Sequence, residues 1–235
     1  MRNMKIRTKL LIGFFIVAII GTFLGTVGIN QIIKIERADM RMFERGAVPM
    51  EYAIDMSAYF QRFRVNLRDA IIANKKEKIE KYLNRIDELN NELEESEKKY
   101  EELLITDAER KSYEGVISAK DEYFKHIGEL RTLALANNDS AAFSLLYSTM
   151  QSSNENYQKA LDDLVHVKVS ATGDLAKENV TVVSESVTLM VIVIVIGLIV
   201  AIVLGIWISA DIQNIIKLVT SEMRRLTEAA VAGKL

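Results

Sequence analysis

The chain has 235 residues, of which 49% are hydrophobic and 26% charged, and its net charge is −2. It contains no cysteine, which excludes a disulfide framework and thiolate metal ligands. Residues 34–185 carry 29 acidic and 22 basic side chains, a balance that excludes the basic surface typical of nucleic-acid-binding proteins. The sequence lacks alternating apolar and polar runs bounded by turn residues, so we expect an all-α fold.

A basic head, residues 1–9, precedes the first apolar run. Its positive charges are Arg2, Lys5, Arg7 and Lys9. Residues 10–33 then run for 24 positions without a charge, and about 20 apolar residues suffice for a helix to cross a bilayer core. A signal peptide has a shorter apolar region, followed by a small-residue cleavage site, so we expect an uncleaved transmembrane helix. Gly21 and Gly25 form a G-x-x-x-G motif, which permits close packing of membrane helices.

The middle segment, residues 34–186, divides into four predicted helices. We place the first from the membrane to about Ala73, the second from Glu77 to Leu104, the third from Thr106 to Asn137–Asn138, and the fourth from Ala141 onward. Thr106 and Glu109 match a capping box, and Asp139 or Ser140 is expected to cap the fourth helix. Because the connecting loops are short, the helices should form an up-down-up-down bundle.

Apolar residues in these helices recur at alternating spacings of four and three, which is typical of a bundle core. In the first helix the core positions are Met56, Phe60, Phe63, Leu67 and Ala70. In the second they include Ile86, Leu89, Leu93, Ser96 and Tyr100, and in the third Tyr113, Val116, Phe124, Ile127 and Leu130. Gly46 and Pro49 are expected to bend the first helix or to start it afresh, since proline breaks a helix interior.

A second uncharged run follows the bundle, between Glu185 and Asp211. We assign residues 187–210 to a second transmembrane helix, with Trp207 near the membrane interface. The tail, residues 211–235, is a short amphipathic helix whose apolar stripe one helix cannot bury alone. The stripe consists of Ile212, Ile216, Val219, Met223, Leu226 and Ala230.

The basic head predicts the orientation of the chain, because positive residues next to a membrane helix stay on the cytoplasmic side. Both termini should therefore lie in the cytoplasm, and residues 34–186 should lie outside the cell.

The order of these elements resembles the input half of a bacterial methyl-accepting chemotaxis receptor with a four-helix-bundle sensor. Local segments are similar too: MKIRTKLLIGF at the start, AVPMEYAIDMSAYFQRFRVNLRDAI in the first helix and NNDSAAFSLLYSTMQSSNENYQKALDDLV in the fourth. The tail is similar to the first helix of a HAMP linker. The resemblance implies a homodimeric sensor in the cell membrane that passes a helix displacement to a cytoplasmic kinase and its coupling protein, through parts beyond residue 235.

The residues suggest no catalytic chemistry. His126 and His166 lie on different predicted helices, at solvated or boundary positions, and no group of His, Asp and Glu has metal-ligand spacing. The acidic run Glu92–Glu102 is expected to be a solvated helix face with pairs at i and i+4. We therefore expect neither an enzyme nor a cofactor or metal site.

The candidate ligand site is basic and lies on the first helix. Arg64 and Arg68 share a face with Gln61 at the border of the core, and Arg62 is close by. Arg64 stands 31 residues after Ile33, and an equal count back from Val187 on the antiparallel fourth helix reaches a polar stretch at Asn156. The polar residues of this stretch are Thr149, Gln151, Ser152, Ser153, Asn154 and Asn156.

Guanidinium groups bind carboxylates in a bidentate manner, which favours a small carboxylate or an amino acid as the ligand. In the aspartate and serine receptors that this domain resembles, arginines of the first helix and polar residues of the fourth bind an amino acid across the dimer interface. Two alternatives stay open. The arginines could pair with Asp55, Asp69 or glutamates of the second helix, leaving no site, or the bundle could dock a partner protein. The same input half also precedes sensor histidine kinases and diguanylate cyclases.

Overall fold

The computed structural model describes residues 6–231 of the chain, and the side chains of residues 7–228. No strand occurs in that range, and the all-α class is confirmed. The α-helices are α1 (Ile6–Met42), α2 (Val48–Ile72), α3 (Lys76–Glu102), α4 (Asp107–Phe124), α5 (Ile127–Leu135), α6 (Asp139–Ser144) and α7 (Gln151–Val231). A first π-helical turn, Phe43–Ala47, separates α1 from α2, and a second, Leu145–Thr149, precedes α7. The chain divides into two compact units, residues 38–180 and a unit formed by both chain ends.

The unit of residues 38–180 is built around one apolar core. Each predicted core residue of α2, from Met56 to Ala70, is at most 1% exposed. Phe60 contacts the rings of Tyr123 on α4 and Tyr157 on α7, with centroids 5.2 and 4.3 Å apart. The first, third and fourth segments of the bundle therefore meet in an aromatic cluster.

The acidic side chains of the run on α3 are exposed or partly exposed, with one exception. Glu95 pairs with Lys99 at i and i+4, as the pattern predicts. Glu97, in contrast, is only 6% exposed and accepts a hydrogen bond of 2.5 Å from Lys120 on α4. The expectation of a fully solvated face is therefore wrong at Glu97.

The ends of the helices agree with the sequence in part. The capping box is confirmed, because Thr106 accepts from the Glu109 amide and Glu109 accepts from the Thr106 amide. The third predicted helix is broken at residues 125–126, which separate α4 from α5. The fourth is capped by Asn138, whose side chain accepts from the Ala141 amide, so neither Asp139 nor Ser140 is the cap. Asn137 precedes it with φ 50°, a left-handed conformation that asparagine tolerates and that commonly ends a helix.

Pro49 accounts for the first π-helical turn. Proline has no N–H and its ring crowds the carbonyl four residues earlier, which here belongs to Arg45. The backbone forms a wider, π-helical turn here, in which the Val48 amide donates to the carbonyl of Phe43. The carbonyl of Arg45 accepts instead from the ammonium of Lys168, at 2.7 Å.

The unit of the chain ends consists of the first part of α1 and the last part of α7. The helices that contain these parts are both long and apolar enough to cross a membrane. Their most apolar windows have mean hydropathies of 2.5 and 3.5 and are 6% and 0% buried. The two segments are antiparallel, because Lys9 pairs with Asp211 at one end while Lys34 lies 3.6 Å from Glu185 at the other.

Glycines let these two segments approach, although not at the predicted motif. A Cβ at Gly197 would lie 3.0 Å from Cδ1 of Leu24, and one at Gly13 would overlap Ile208. No described atom lies within 4 Å of a Cβ built at Gly21 or Gly25. The G-x-x-x-G motif thus leaves a bare face on α1, and close packing within this unit occurs elsewhere.

Candidate ligand-binding site

A cavity of about 170 Å³ opens between α2 and the start of α7. Its wall is formed by Gln61, Arg64, Val65, Arg68, Tyr123, Leu146, Tyr147, Gln151 and Asn154. The wall thus joins the first helix of the bundle to the third and the fourth. An apolar cavity of about 150 Å³ can hold benzene, so the space suits a ligand of about that size.

Three residues of α2 supply the basic side of the cavity. Gln61, Arg64 and Arg68 follow at i, i+3 and i+7, a spacing that places them on one face of a helix. Arg64 donates a hydrogen bond of 3.2 Å to the Gln61 side chain, and its guanidinium lies 5.6 Å from the centre of the Phe60 ring. Gln61 also bonds to Gln158 on α7.

The arginines of this face have no carboxylate partner among the residues that the structure describes. Arg64 and Arg68 occur in none of the ion pairs of residues 7–228, and Asp55 and Asp69 occur in none either. The alternative in which these arginines are neutralised by neighbouring acids therefore lacks support. Two positive charges thus face the cavity without an ion-pair partner among the described residues.

The opposite wall comes from the second π-helical turn and from α7. The turn contributes Leu146 and Tyr147, whose ring is stacked on Phe143 with centroids 5.8 Å apart. Gln151 and Asn154 add amide groups, and Gln151 also donates to Glu155 at 3.0 Å. Amides offer both donors and acceptors, so this wall can bind a hydroxyl, an amine or a carboxylate oxygen.

The structure brings together some of the residues predicted from the sequence. Arg64, Arg68 and Gln61 lie in the wall. Arg62 does not, because its guanidinium stands 6.0 Å from the Tyr59 ring. Of the polar stretch on the fourth helix, Gln151 and Asn154 lie in the wall, whereas the four site candidates lie outside it, and Ser153 bonds to the carbonyl of Met150 instead. Those residues are Thr149, Ser152, Ser153 and Asn156.

The sequence predicted the height of the candidate site along the bundle, but it did not predict which face of α7 lines the cavity. The bond between Gln61 and Gln158 places Arg64 within one residue of the level predicted at Asn156. Asn156 itself is exposed, and Asn154 takes the facing position. A count of residues fixes height along a helix but not its rotation.

Tyr123 is the one wall residue on the third segment, and the sequence reading missed it. It continues the four-three spacing that leads from Val116 through Lys120 to Ile127, but the lysine interrupts the apolar signal. The Tyr123 side chain is fully buried. Burial raises the pKa of its hydroxyl, and the charge of Arg64 opposes that shift only in part.

A second polar cluster lies deeper in the bundle, around Lys168 on α7. Lys168 and Glu109 are each 1% exposed, and their charged atoms are 2.8 Å apart. The other oxygen of Glu109 accepts from the amides of Ile105 and Thr106. Burial alone would raise the pKa of Glu109, but the bonds from Lys168 and these two amides together hold it below its usual value. The two charged groups are paired with each other, and a cavity of about 480 Å³ lies beside them, lined in part by Arg45, Thr106 and Glu109.

No described group of three or more His, Asp or Glu side chains could hold a metal ion. His126 is half-buried between α4 and α5, and His166 is exposed, as expected for boundary and solvated positions.

Comparison with known proteins supplies the family context. Residues 3–183 match the model of a family described as a four helix bundle sensory module for signal transduction. No curated protein matches the chain. The match extends over α1 to α6 and the part of α7 that lines the cavity.

Proposed function

Since this chain belongs to the family of four-helix-bundle sensory modules for signal transduction, we propose that it is the input module of a transmembrane chemoreceptor. In this proposal, it binds a small carboxylate outside the cell and passes a helix displacement to a cytoplasmic HAMP linker and signalling domain. One observation carries the proposal: Arg64 and Arg68 face a cavity that also presents amides of the fourth helix, and no described carboxylate pairs with either.

The chemistry of the cavity favours an anion. Arginine presents its donors in a planar fork that matches a carboxylate, and a charge-assisted bond of this kind is about twice as strong as a neutral one. The amides of Gln61, Gln151 and Asn154 would hold the rest of the ligand. A bound ligand would touch α2 and α7 together, so its affinity would depend on how these two helices are placed.

The helix α7 supports a direct route for the signal. It begins beside the cavity at Gln151 and extends to Val231. A ligand shifts a two-state equilibrium only by the difference between its affinities for the two states. A site shared by α2 and α7 can supply that difference.

We propose a two-pass topology in a bacterial cell membrane with both termini in the cytoplasm. The proposed parts are a basic head at 1–9, membrane helices at 10–33 and 187–210, an outer sensor at 34–186, and the start of a HAMP linker at 211–235. The two apolar helices support the membrane location. The basic head supports the direction.

Two unpartnered stripes support a parallel homodimer. On α2, Ile54, Val65 and Ile72 are 45–54% exposed on one side, where their spacing of 11 and 7 keeps them on one helix face. On the last part of α7, Ile216, Val219, Met223 and Leu226 are 55–62% exposed. A second copy of the chain could cover both stripes.

Two other classes of signalling protein could carry the same input module. A sensor histidine kinase or a diguanylate cyclase would place a catalytic domain after the HAMP linker, whereas a chemoreceptor would place long helices that contact a kinase and a coupling protein. A bundle that docks a partner protein would need no cation-lined cavity. The two arginines in the cavity wall, Arg64 and Arg68, therefore favour a small ligand.

A thermal-shift screen of the full membrane protein in nanodiscs tests the proposal. Ligands that bind the native state raise the melting temperature by mass action. Small carboxylates should raise it in the wild type and in Arg62→Ala, whose guanidinium lies outside the cavity, but not in Arg64→Ala or Arg68→Ala. A shift that persists in both cavity variants would contradict the proposal. So would the absence of a shift with every carboxylate tested. Either result would favour a docked partner protein.

A further inference from the structure

Tyr123 combines a tightly packed ring with a hydroxyl that lacks a partner. The ring is held by Phe60 at 5.2 Å, Phe124 at 5.8 Å and Phe63 at 6.3 Å between centroids. The side chain is fully buried, yet its hydroxyl makes no hydrogen bond to any described residue. A buried hydroxyl without a partner costs free energy and calls for an explanation.

The surroundings of Tyr123 offer that explanation. The hydroxyls of Tyr100 and Tyr157 are also buried without a described partner, but neither residue belongs to the cavity wall. Tyr123 does, and the field of Arg64 acts on its hydroxyl. Of these three tyrosines, Tyr123 is therefore the one whose side chain forms part of the cavity wall.

We propose that Tyr123 is a specificity-determining residue, whose hydroxyl donates a hydrogen bond to a second acceptor oxygen of the ligand. The inference rests on the proposed function and narrows the ligand class to small dicarboxylates and hydroxycarboxylates. One carboxylate pairs with Arg64 and Arg68, and another oxygen bonds to Tyr123. The ligand then touches α2, α4 and α7 at once.

The protonation state of Tyr123 supports this role. Burial raises the pKa of its hydroxyl above the usual value of 10.0, so the group stays neutral and keeps its proton at physiological pH. A neutral phenol near the Arg64 guanidinium donates to an anionic oxygen and does not repel it. The fixed ring holds the donor in place before the ligand arrives, which limits the entropy lost on binding.

Isothermal titration calorimetry on the full chain in nanodiscs tests the inference, with succinate, L-malate and butyrate as probes. Butyrate has the carbon count of succinate but one carboxylate, so the wild type should bind it more weakly. In Tyr123→Phe the affinity for succinate and L-malate should fall by about tenfold or more, the effect of one lost hydrogen bond to a charged group. The affinity for butyrate should change less than twofold.

Tyr157→Phe is the matched control, because it removes a hydroxyl of the same cluster that lies outside the cavity wall. Its affinities should equal those of the wild type. Both phenylalanine variants should melt at or above the wild-type temperature, since each loses a buried polar group without a partner. Wild-type succinate affinity in Tyr123→Phe, together with lost binding in Arg64→Ala, would overturn the role of Tyr123 alone. If no probe bound the wild type, or if Arg64→Ala bound the probes normally, both the role of Tyr123 and the proposed function would be overturned.

Discussion

The ammonium of Lys168 donates a 2.7 Å hydrogen bond to the carbonyl of Arg45, the carbonyl that Pro49 deprives of its helical donor. The same ammonium lies 2.8 Å from a carboxylate oxygen of Glu109. A single buried side chain of α7 thus contacts the break in the first helix and the capping box of the third. Removal of this side chain should therefore lower the free energy of unfolding.

We expect Lys168→Met to destabilise the protein by about 3–5 kcal/mol, because Glu109 would remain buried without its counter-charge. The melting temperature in nanodiscs measures the effect. Lys159→Met, which removes an exposed lysine from the same helix, should leave it nearly unchanged. The double variant Lys168→Met/Glu109→Gln should recover part of the loss, since no buried charge is left alone. A single variant as stable as the wild type would refute the cluster's contribution.

Gly46 permits the close approach of the first π-helical turn to α7. A Cβ at this position would lie 2.9 Å from Cγ2 of Thr172, and a β-branched side chain has little freedom to move away. Gly46→Ala should therefore cost about 1–3 kcal/mol. Thr172→Ser removes the opposing methyl group and should restore stability in the double variant.

Gly173→Ala is the matched control for Gly46→Ala. Apart from the helix's own backbone, no described atom lies within 4 Å of a Cβ built at Gly173, and alanine is favoured over glycine in a helix by about 0.5–1 kcal/mol. The control should thus melt slightly above the wild type. Equal effects of the two alanines on thermal melting would contradict the close approach.

The pH dependence of stability should reflect Glu109. Its folded-state pKa lies below the usual carboxyl value of 4.5, so its ionised form is favoured by folding. The stability that it contributes is present above pH 4.5 and is lost as the pH falls through the lower, folded-state value. Melting curves from pH 7 to pH 3 should show a steeper acid loss for the wild type than for Glu109→Gln. Parallel curves would mean that Glu109 is not favoured as an anion.

Cysteine crosslinking tests the homodimer, and the absence of native cysteine makes the background clean. Single cysteines at Ile216 or Val219 lie on the exposed apolar stripe of α7 and should form disulfide-linked dimers in membranes. Ser221→Cys lies well round the helix from both and should crosslink more slowly. Failure of crosslinking at every stripe position would argue against a dimer that uses this helix.

The sequence was sufficient to predict the all-α fold class, the core residues of α2 and the height of the candidate site along the bundle. Each of these follows from a regular spacing along an unbroken helix. Phe60 and Phe63 are core residues by spacing alone, and Arg64 stands near its predicted level. Tyr123 and Lys168 escaped detection since each depends on a partner remote in sequence. The face of α7 escaped as well, because the second π-helical turn changes the rotation of the chain ahead of Gln151.

The most direct test of signal transmission measures disulfide formation inside the unit of the chain ends. Cysteines replace Ile20 and Gly197, where a Cβ built on the glycine lies 3.6 Å from Cγ2 of Ile20. Saturating succinate should change the rate of disulfide formation in membranes, and Arg64→Ala should abolish the change. An unchanged rate, in samples where calorimetry shows succinate bound, would contradict the claim that a ligand in the cavity moves α7.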